Sequence, residues 1–187
     1  TATTGNITQG QALTVTGTTT LETSADAAAI NLNNTSNKFT SAVTITTNDS
    51  SGDDSDATIS AGSAAGLIFA ASTIDGDLTV TSSNATGITQ TGVLTVGGTS
   101  SFTTSADGAD IDLNSSSNAF TGAVSLSTEG SGGYAEISNG STNLTTGTST
   151  VDGYLTLTTS GQIIFGDTTV GGYLSAITSG SSITDDG

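Results

Sequence analysis

One long stretch, Ile7 to Val43, comes again later in the same chain, and this constrains the fold more than anything else in the sequence. Ile7-Thr-Gln-Gly-Gln-Ala-Leu-Thr-Val-Thr-Gly-Thr returns as Ile88-Thr-Gln-Thr-Gly-Val-Leu-Thr-Val-Gly-Gly-Thr. Thr23-Ser-Ala-Asp-Ala-Ala-Ala-Ile-Asn-Leu-Asn returns at Thr104, and Asn37-Lys-Phe-Thr-Ser-Ala-Val returns at Asn118. No residue is inserted or lost between these copies, and self-similarity at a fixed period marks a repeat architecture. The preserved positions are aliphatics, small residues and turn formers. A stacking surface needs such residues in every copy, whereas a catalytic site has no need to occur twice.

Inside the repeats the pattern is a short triplet with a polar middle: Leu13-Thr-Val15, Ile30-Asn-Leu32, Val43-Thr-Ile45, Leu78-Thr-Val80, Leu94-Thr-Val96, Leu155-Thr-Leu157. Period two turns both apolar side chains to one side and the polar one to the other, the signature of a half-buried strand. Gly, Asn, Ser and Asp cluster between the triplets, where tight corners need them. The strands are too short, and two-residue hairpin signals too rare, for a sandwich of hairpins. The expected fold is therefore all-β, a parallel β-solenoid of short strands with Gly/Asn/Ser/Asp corners. Each coil has three strands and about twenty to twenty-five residues, and is stable only on its neighbours. We read the chain as one solenoid section with repeats over about 5–84 and 85–162 and a partial one over 163–187.

A second unit supports this reading. Ser72-Thr-Ile-Asp-Gly-Asp-Leu78 comes again as Ser149-Thr-Val-Asp-Gly-Tyr-Leu155 and Thr168-Thr-Val-Gly-Gly-Tyr-Leu174, each a strand end, a corner and a new strand. Residues 61–71, rich in Ala, have some helical propensity. Their glycines and their place between strands favour a buried strand instead.

Composition narrows the chemistry. Among 187 residues there is no Pro, Cys, Met, Trp or His, and 17 acids stand against a single cation, Lys38, for a net charge of −16. Such a chain repels phosphate backbones and anionic lipid headgroups, so nucleic-acid partners and membrane insertion are not expected. Without His or Cys, Ser-His-Asp, Cys-His and zinc sites cannot be assembled. Paired acids such as Asp53 and Asp54, Asp110 and Asp112, or Asp185 and Asp186 could serve glycoside cleavage. That chemistry usually also needs aromatic platforms, so no catalytic residue is assigned. The expectation is a protein that is not an enzyme and needs no cofactor.

Calcium is the one small ligand considered. Asp49, Asp53, Asp54 and Asp56 place four carboxylates in one polar insert, a donor set suited to a hard cation. The spacing is not that of an EF-hand, and a solvated loop leaving the coil is the preferred explanation. Asp26 and Asp107, and Asp75 and Asp152, recur in register and suit corner hydrogen bonding. Thr14-Val-Thr16, Thr44-Ile-Thr46, Thr79-Val-Thr81 and Thr156-Leu-Thr158 each set two hydroxyls on one face, as in flat ice-binding solenoids. The uneven spacing between these pairs argues against a flat array.

The blocks Ile-Thr-Gln-x-Gly-x-Leu-Thr-Val-x-Gly-Thr, Ile-x-Leu-x-Asn, Asn-x-Phe-x-Gly-Ala-Val and Ser-Thr-Val-x-Gly-x-Leu resemble repeat regions of large bacterial exoproteins. They are similar to filamentous-haemagglutinin-like, two-partner-secreted adhesins, over nearly the whole chain from Gly5 to Gly187. The resemblance implies a right-handed parallel β-helix, an extracellular or cell-surface location, and an adhesive or fibre-forming role. The implied partners are identical subunits or further repeats of the same chain, head to tail, with a glycan or cell surface as target. The chain reads as a section of something longer. A carbohydrate-binding or carbohydrate-degrading β-helix is the alternative.

Overall fold

Period-two triplets separated by corners wind into a parallel β-solenoid of about eight turns in the computed structural model, which describes residues 1–48, 54–130 and 132–186. Twenty-four short strands follow one another in threes among the described residues. The first coil holds β1 (Ile7–Thr8), β2 (Thr14–Val15) and β3 (Thr19–Glu22). The second holds β4 (Ile30–Leu32), β5 (Lys38–Phe39) and β6 (Val43–Thr46), and the third β7 (Ala57–Ala61), β8 (Leu67–Phe69) and β9 (Ser72–Ile74). The fourth is β10 (Leu78–Ser82), β11 (Ile88–Gln90) and β12 (Leu94–Val96). The fifth is β13 (Ser100–Asp107), β14 (Ile111–Leu113) and β15 (Ala119–Phe120). The sixth is β16 (Val124–Glu129), β17 (Ala135–Ser138) and β18 (Leu144–Thr145). Then come β19 (Ser149–Val151), β20 (Leu155–Thr159) and β21 (Ile163–Phe165), and finally β22 (Thr168–Val170), β23 (Leu174–Thr178) and β24 (Ile183–Asp185).

Every strand pairs in parallel with the one three places on, or nearly so. The row β1-β4-β7-β10-β13-β16-β19-β22 is an unbroken eight-stranded sheet. The second row runs β2-β5 and then β8-β11-β14-β17-β20-β23, and the third β3-β6-β9-β12-β15 and then β18-β21-β24. Coil length varies, from 19 residues at Ser149↔Thr168 to 27 at Ile30↔Ala57, which spans the acidic insert. Residues 61–71 are not one strand: Ala61 ends β7, a corner follows, and Leu67–Phe69 is β8. The described residues include no helix, and so none long and apolar enough to cross a membrane.

The sequence repeat does not match the coil. Ile7 opens β1 and Ile88 opens β11; Ile30 opens β4 and Ile111 β14; Val43 opens β6 and Val124 β16. Each match lies ten strands on, which is three coils and one strand more. Equivalent residues therefore move to the next row. Ile7 pairs with Ile30 in the first row, but Ile88 pairs with Ile111 in the second.

Inward side chains fill the coil. Ile59, Val80, Phe102 and Leu126 stack in one column, and Leu67, Ile88, Ile111, Ala135 and Leu155 in another, all buried. Phe102 and Phe120 meet edge to face at 5.9 Å between ring centroids. Each buried Leu, Ile or Phe contributes about 1.5–3 kcal/mol, so the core grows in proportion to the number of coils.

Two polar devices explain why the repeat keeps its Gln, Asn and Ser. Buried Asn37 and partly buried Gln9 exchange both amide bonds, at 2.8 and 2.9 Å, and the Leu13 N–H donates to Asn37 Oδ1 at 2.9 Å. Asn118 and Gln90 repeat this, with the Leu94 N–H as third partner. The second device sits where one long strand meets two short ones. Val43 of β6 pairs with Phe69 of β8, while Thr46 pairs with Thr73 of β9. In the gap the Ile45 N–H donates to Ser72 Oγ at 3.0 Å, and that hydroxyl donates to the Ala70 carbonyl. Ser149 does the same for Leu126 and Gly147.

Candidate functional site

Three surfaces hold the residues that could act on something outside the chain. The first is the acidic insert. Asp49 and Asp53 lie outside the described residues; Asp54 and Asp56 are exposed. Asp56 Oδ1 accepts the Asp77 N–H at 2.8 Å, and Asp77 Oδ1 in turn accepts the Thr99 N–H at 2.6 Å, so these carboxylates form a corner ladder. No group of three or more acids gathers as a metal site among the described residues. Corner bonding of the expected kind is present at Asp152, whose Oδ2 accepts the Gly130 N–H at 2.9 Å.

The second surface is a strip on the second row. Asp110, Tyr134, Tyr154 and Tyr173 immediately precede β14, β17, β20 and β23, so the ladder stacks them. All three tyrosines of the chain lie here. Tyr134 and Tyr154 are parallel at 4.6 Å between centroids, and Tyr154 and Tyr173 at 4.8 Å. Beside them Asp112 pairs in register with Glu136, and Glu136 with Thr156. Asp110 takes the Tyr134 N–H on Oδ1 at 3.1 Å, whereas buried Asp112 Oδ1 has no partner.

Charge in this strip is one-signed. Loss of water, then the nearby Glu136 carboxylate, raises the Asp112 carboxyl above its ordinary 3.8. Asp110 is raised mainly by loss of water, partly offset by the Tyr134 N–H. The Tyr134 phenol is pushed up to about 12 by desolvation and the adjoining Asp110 and Asp112. These shifts move Asp110, Asp112, Tyr134 and Tyr154 toward their neutral forms. Next to the strip, at the corner after β17 and β20, is a shallow groove of about 570 Å³ lined by Ser117, Ser138, Ser141, Thr158, Ser160 and Ser179.

The third surface is the end of the rod at β22–β24. The exposed large apolar side chains among the described residues are Tyr173 at 62%, Leu174 at 49%, Ile177 at 51% and Ile183 at 48%. All belong to the last coil. The counterparts of Leu174 and Ile183 one coil down, Leu155 and Ile163, are fully buried, whereas Ile177 lies in register with outward Thr158 and Tyr173 stacks on half-buried Tyr154. A cleft of about 580 Å³ opens there between Phe165, Asp167, Val170, Leu174 and Asp185. At the opposite end Ile7, Leu13, Val15 and Leu21 are half-buried.

The sequence pointed to the acidic insert and missed the tyrosine strip and the open end. The recurring Gly-Tyr-Leu of Tyr154 and Tyr173 was the available signal. It places an aromatic at the same corner of successive coils, and Tyr134 joins them only through the coil register.

No curated protein and no solved structure matches the chain. A family model described as repeats of unknown function matches residues 1–46 and 54–127. These segments exceed half of the chain and hold both copies of the Gln–Asn clamp, so the protein belongs to this family of repeats of unknown function, DUF5649.

Proposed function

We propose that this protein is a non-enzymatic structural element of a bacterial surface or secreted fibre, a rigid rod that lengthens by stacking coil on coil. The observation that carries this reading is the last coil, where Leu174 and Ile183 lie exposed at the end of columns that are fully buried one coil down, at Leu155 and Ile163. Contiguous exposed apolar surface marks an interaction site, and the unpaired strand edges beside it favour another strand. A further coil of the same kind satisfies both, supplied by an identical subunit or by more of the same repeats. Head-to-tail contact of this type does not close and yields filaments. The resemblance to secreted adhesins supports an extracellular location and an adhesive stalk.

Electron microscopy and sedimentation of the purified protein test this, with Ile183→Lys and Leu174→Lys as variants. Long filaments, or association that grows with concentration and is lost in both variants, are expected. Discrete short rods at high concentration, indistinguishable from the variants, would sink the idea.

A second reading, a glycan-binding rod, is favoured by one arrangement: the stacked tyrosines share the second row with the Ser/Thr groove. Aromatic edges and rows of hydroxyls together suit an uncharged sugar chain, and the acids disfavour an anionic one. Binding on a glycan array that Tyr154→Ala removes would support it; binding unchanged in that variant would count against this strip.

A further inference from the structure

We propose that the outer surface of the first row from β7 to β22 is an ice-binding face, a rigid lattice of Thr and Ser hydroxyls in two columns that run side by side on β10, β13 and β16. Along the first column Thr58 pairs with Thr79, Thr79 with Ser101 and Ser101 with Ser125. Along the second, Thr81, Thr103, Ser127, Thr150 and Thr169 follow one another over five consecutive coils. The residue between the columns on each strand points inward: Ile59, Val80, Phe102 and Leu126 are buried. The columns are thus about 6.6–6.8 Å apart along the strand, with a rung about every 4.8 Å along the axis.

Three properties separate this face from the rest of a Ser/Thr-rich surface. It carries no charge, although the chain has 17 acids; the carboxylates that flank its strands, Asp56, Asp77 and Asp167 before them and Asp107, Glu129 and Asp152 at their far ends, stand at its edges. Its hydroxyls are not spent inside the protein. Thr47, Ser72, Thr128 and Ser149 bond to backbone at corners and gaps. Among the described residues, Thr79, Thr81, Thr103, Ser127 and Thr150 have no such bond. Finally, the face is stiff. β-Branched Thr has few χ1 choices, and the strands beneath, from β7 to β19, are held by a ladder on both sides.

A pre-ordered array loses little entropy on meeting another ordered array. A single flexible ligand gains nothing from the long-range register, whereas a crystal surface does. No aromatic side chain faces out of these columns, so the flat apolar contact that crystalline polysaccharides offer has no counterpart here. Ordered water, with a hydroxyl lattice of its own, is the occupant this face fits. The Thr-x-Thr pairs themselves fall on all three rows, as their uneven spacing implies. Only the structure joins Thr79 and Thr81 to Ser101, Thr103, Ser125 and Ser127.

The test is ice-crystal shaping, thermal hysteresis and partition into a slowly growing ice front, using the full chain. The wild type should shape crystals and be drawn into the ice. Thr103→Tyr and Thr81→Tyr, which break the lattice at outward positions, should lose both effects with an unchanged circular dichroism spectrum. Thr156→Tyr, on the second row, should keep them. Failure of the folded wild type to shape ice or partition into it overturns the proposal. So does wild-type activity in both column variants, or retention on microcrystalline cellulose without any effect on ice.

Discussion

Asp112 and Glu136 face each other in register on β14 and β17, two carboxylates directly opposed across a parallel ladder, and one oxygen of Asp112 is buried without a partner. Like charges so placed are destabilising. The nearest offset is a 3.5 Å bond from Asn114 Nδ2 to Glu136.

Stability should therefore depend on pH with a definite sign. Desolvation and Glu136 raise the folded-state pKa of Asp112 above 3.8, and Asp110 is raised likewise. The folded chain then binds more protons than the unfolded one in this window, so stability falls as pH rises. The favourable contribution is complete below the unfolded value and is lost as pH climbs through the folded one. Thermal melts across the acidic range should show the midpoint falling as pH rises. Asp112→Asn should flatten that fall and raise the midpoint at neutral pH; an unchanged profile would refute the assignment.

Removing Asn118 should cost far more than removing a surface amide. Its side chain holds the Leu94 N–H, both polar atoms of Gln90 and the Leu113 carbonyl, all at 2.8–3.1 Å. Asn118→Ala strands a buried donor and acceptor, at about 2–4 kcal/mol. Denaturant unfolding of Asn118→Ala, Gln90→Ala and the double variant should show strong non-additivity, because the two side chains form one clamp.

Ser100 gives the opposite sign. Its Oγ is buried without a hydrogen-bond partner, between Leu78 and Val124 in an otherwise apolar column. Ser100→Ala removes an unsatisfied polar atom at little loss of volume. It should stabilise by ~1 kcal/mol, read as a higher denaturant midpoint with the same slope.

Gly87 and Gly10 make a contrasting pair. Gly87 has φ +68°, and a Cβ there would run into the Asp110 backbone of the next coil. Gly87→Ala should cost roughly 2 kcal/mol or more, since both the dihedral and the coil spacing oppose it. A Cβ on Gly10 would meet nothing within 4 Å, so Gly10→Ala should stay within about 0.5 kcal/mol of the parent. Equal midpoints for the two variants would contradict the close approach at Gly87.

Much of this architecture is written in local pattern. Triplets such as Leu78-Thr-Val80 must put two side chains in and one out, because successive Cβ atoms alternate. Gly, Asn and Asp between them must turn the chain. Short strands without hairpin signals leave a parallel coil as the arrangement that buries both apolar residues of every triplet. The Gln and Asn of the repeat were visible as preserved residues, but their pairing was not, since Gln90 and Asn118 meet only after a full coil and a corner.

What the amino-acid sequence determined by itself was therefore the local alternation, the corners and the solenoid class. The tertiary structure decided which residues share a row. Coils of 19 to 27 residues, and a repeat that advances ten strands where coils advance three, separate residues that look equivalent and align ones that do not. Tyr134 joins the tyrosine stack, Asp112 confronts Glu136, and Thr81 lines up with Thr103 and Ser127, because the backbone ladder sets the register. A ladder bond fixes position to a fraction of a strand spacing, whereas alternation specifies only the side of the strand.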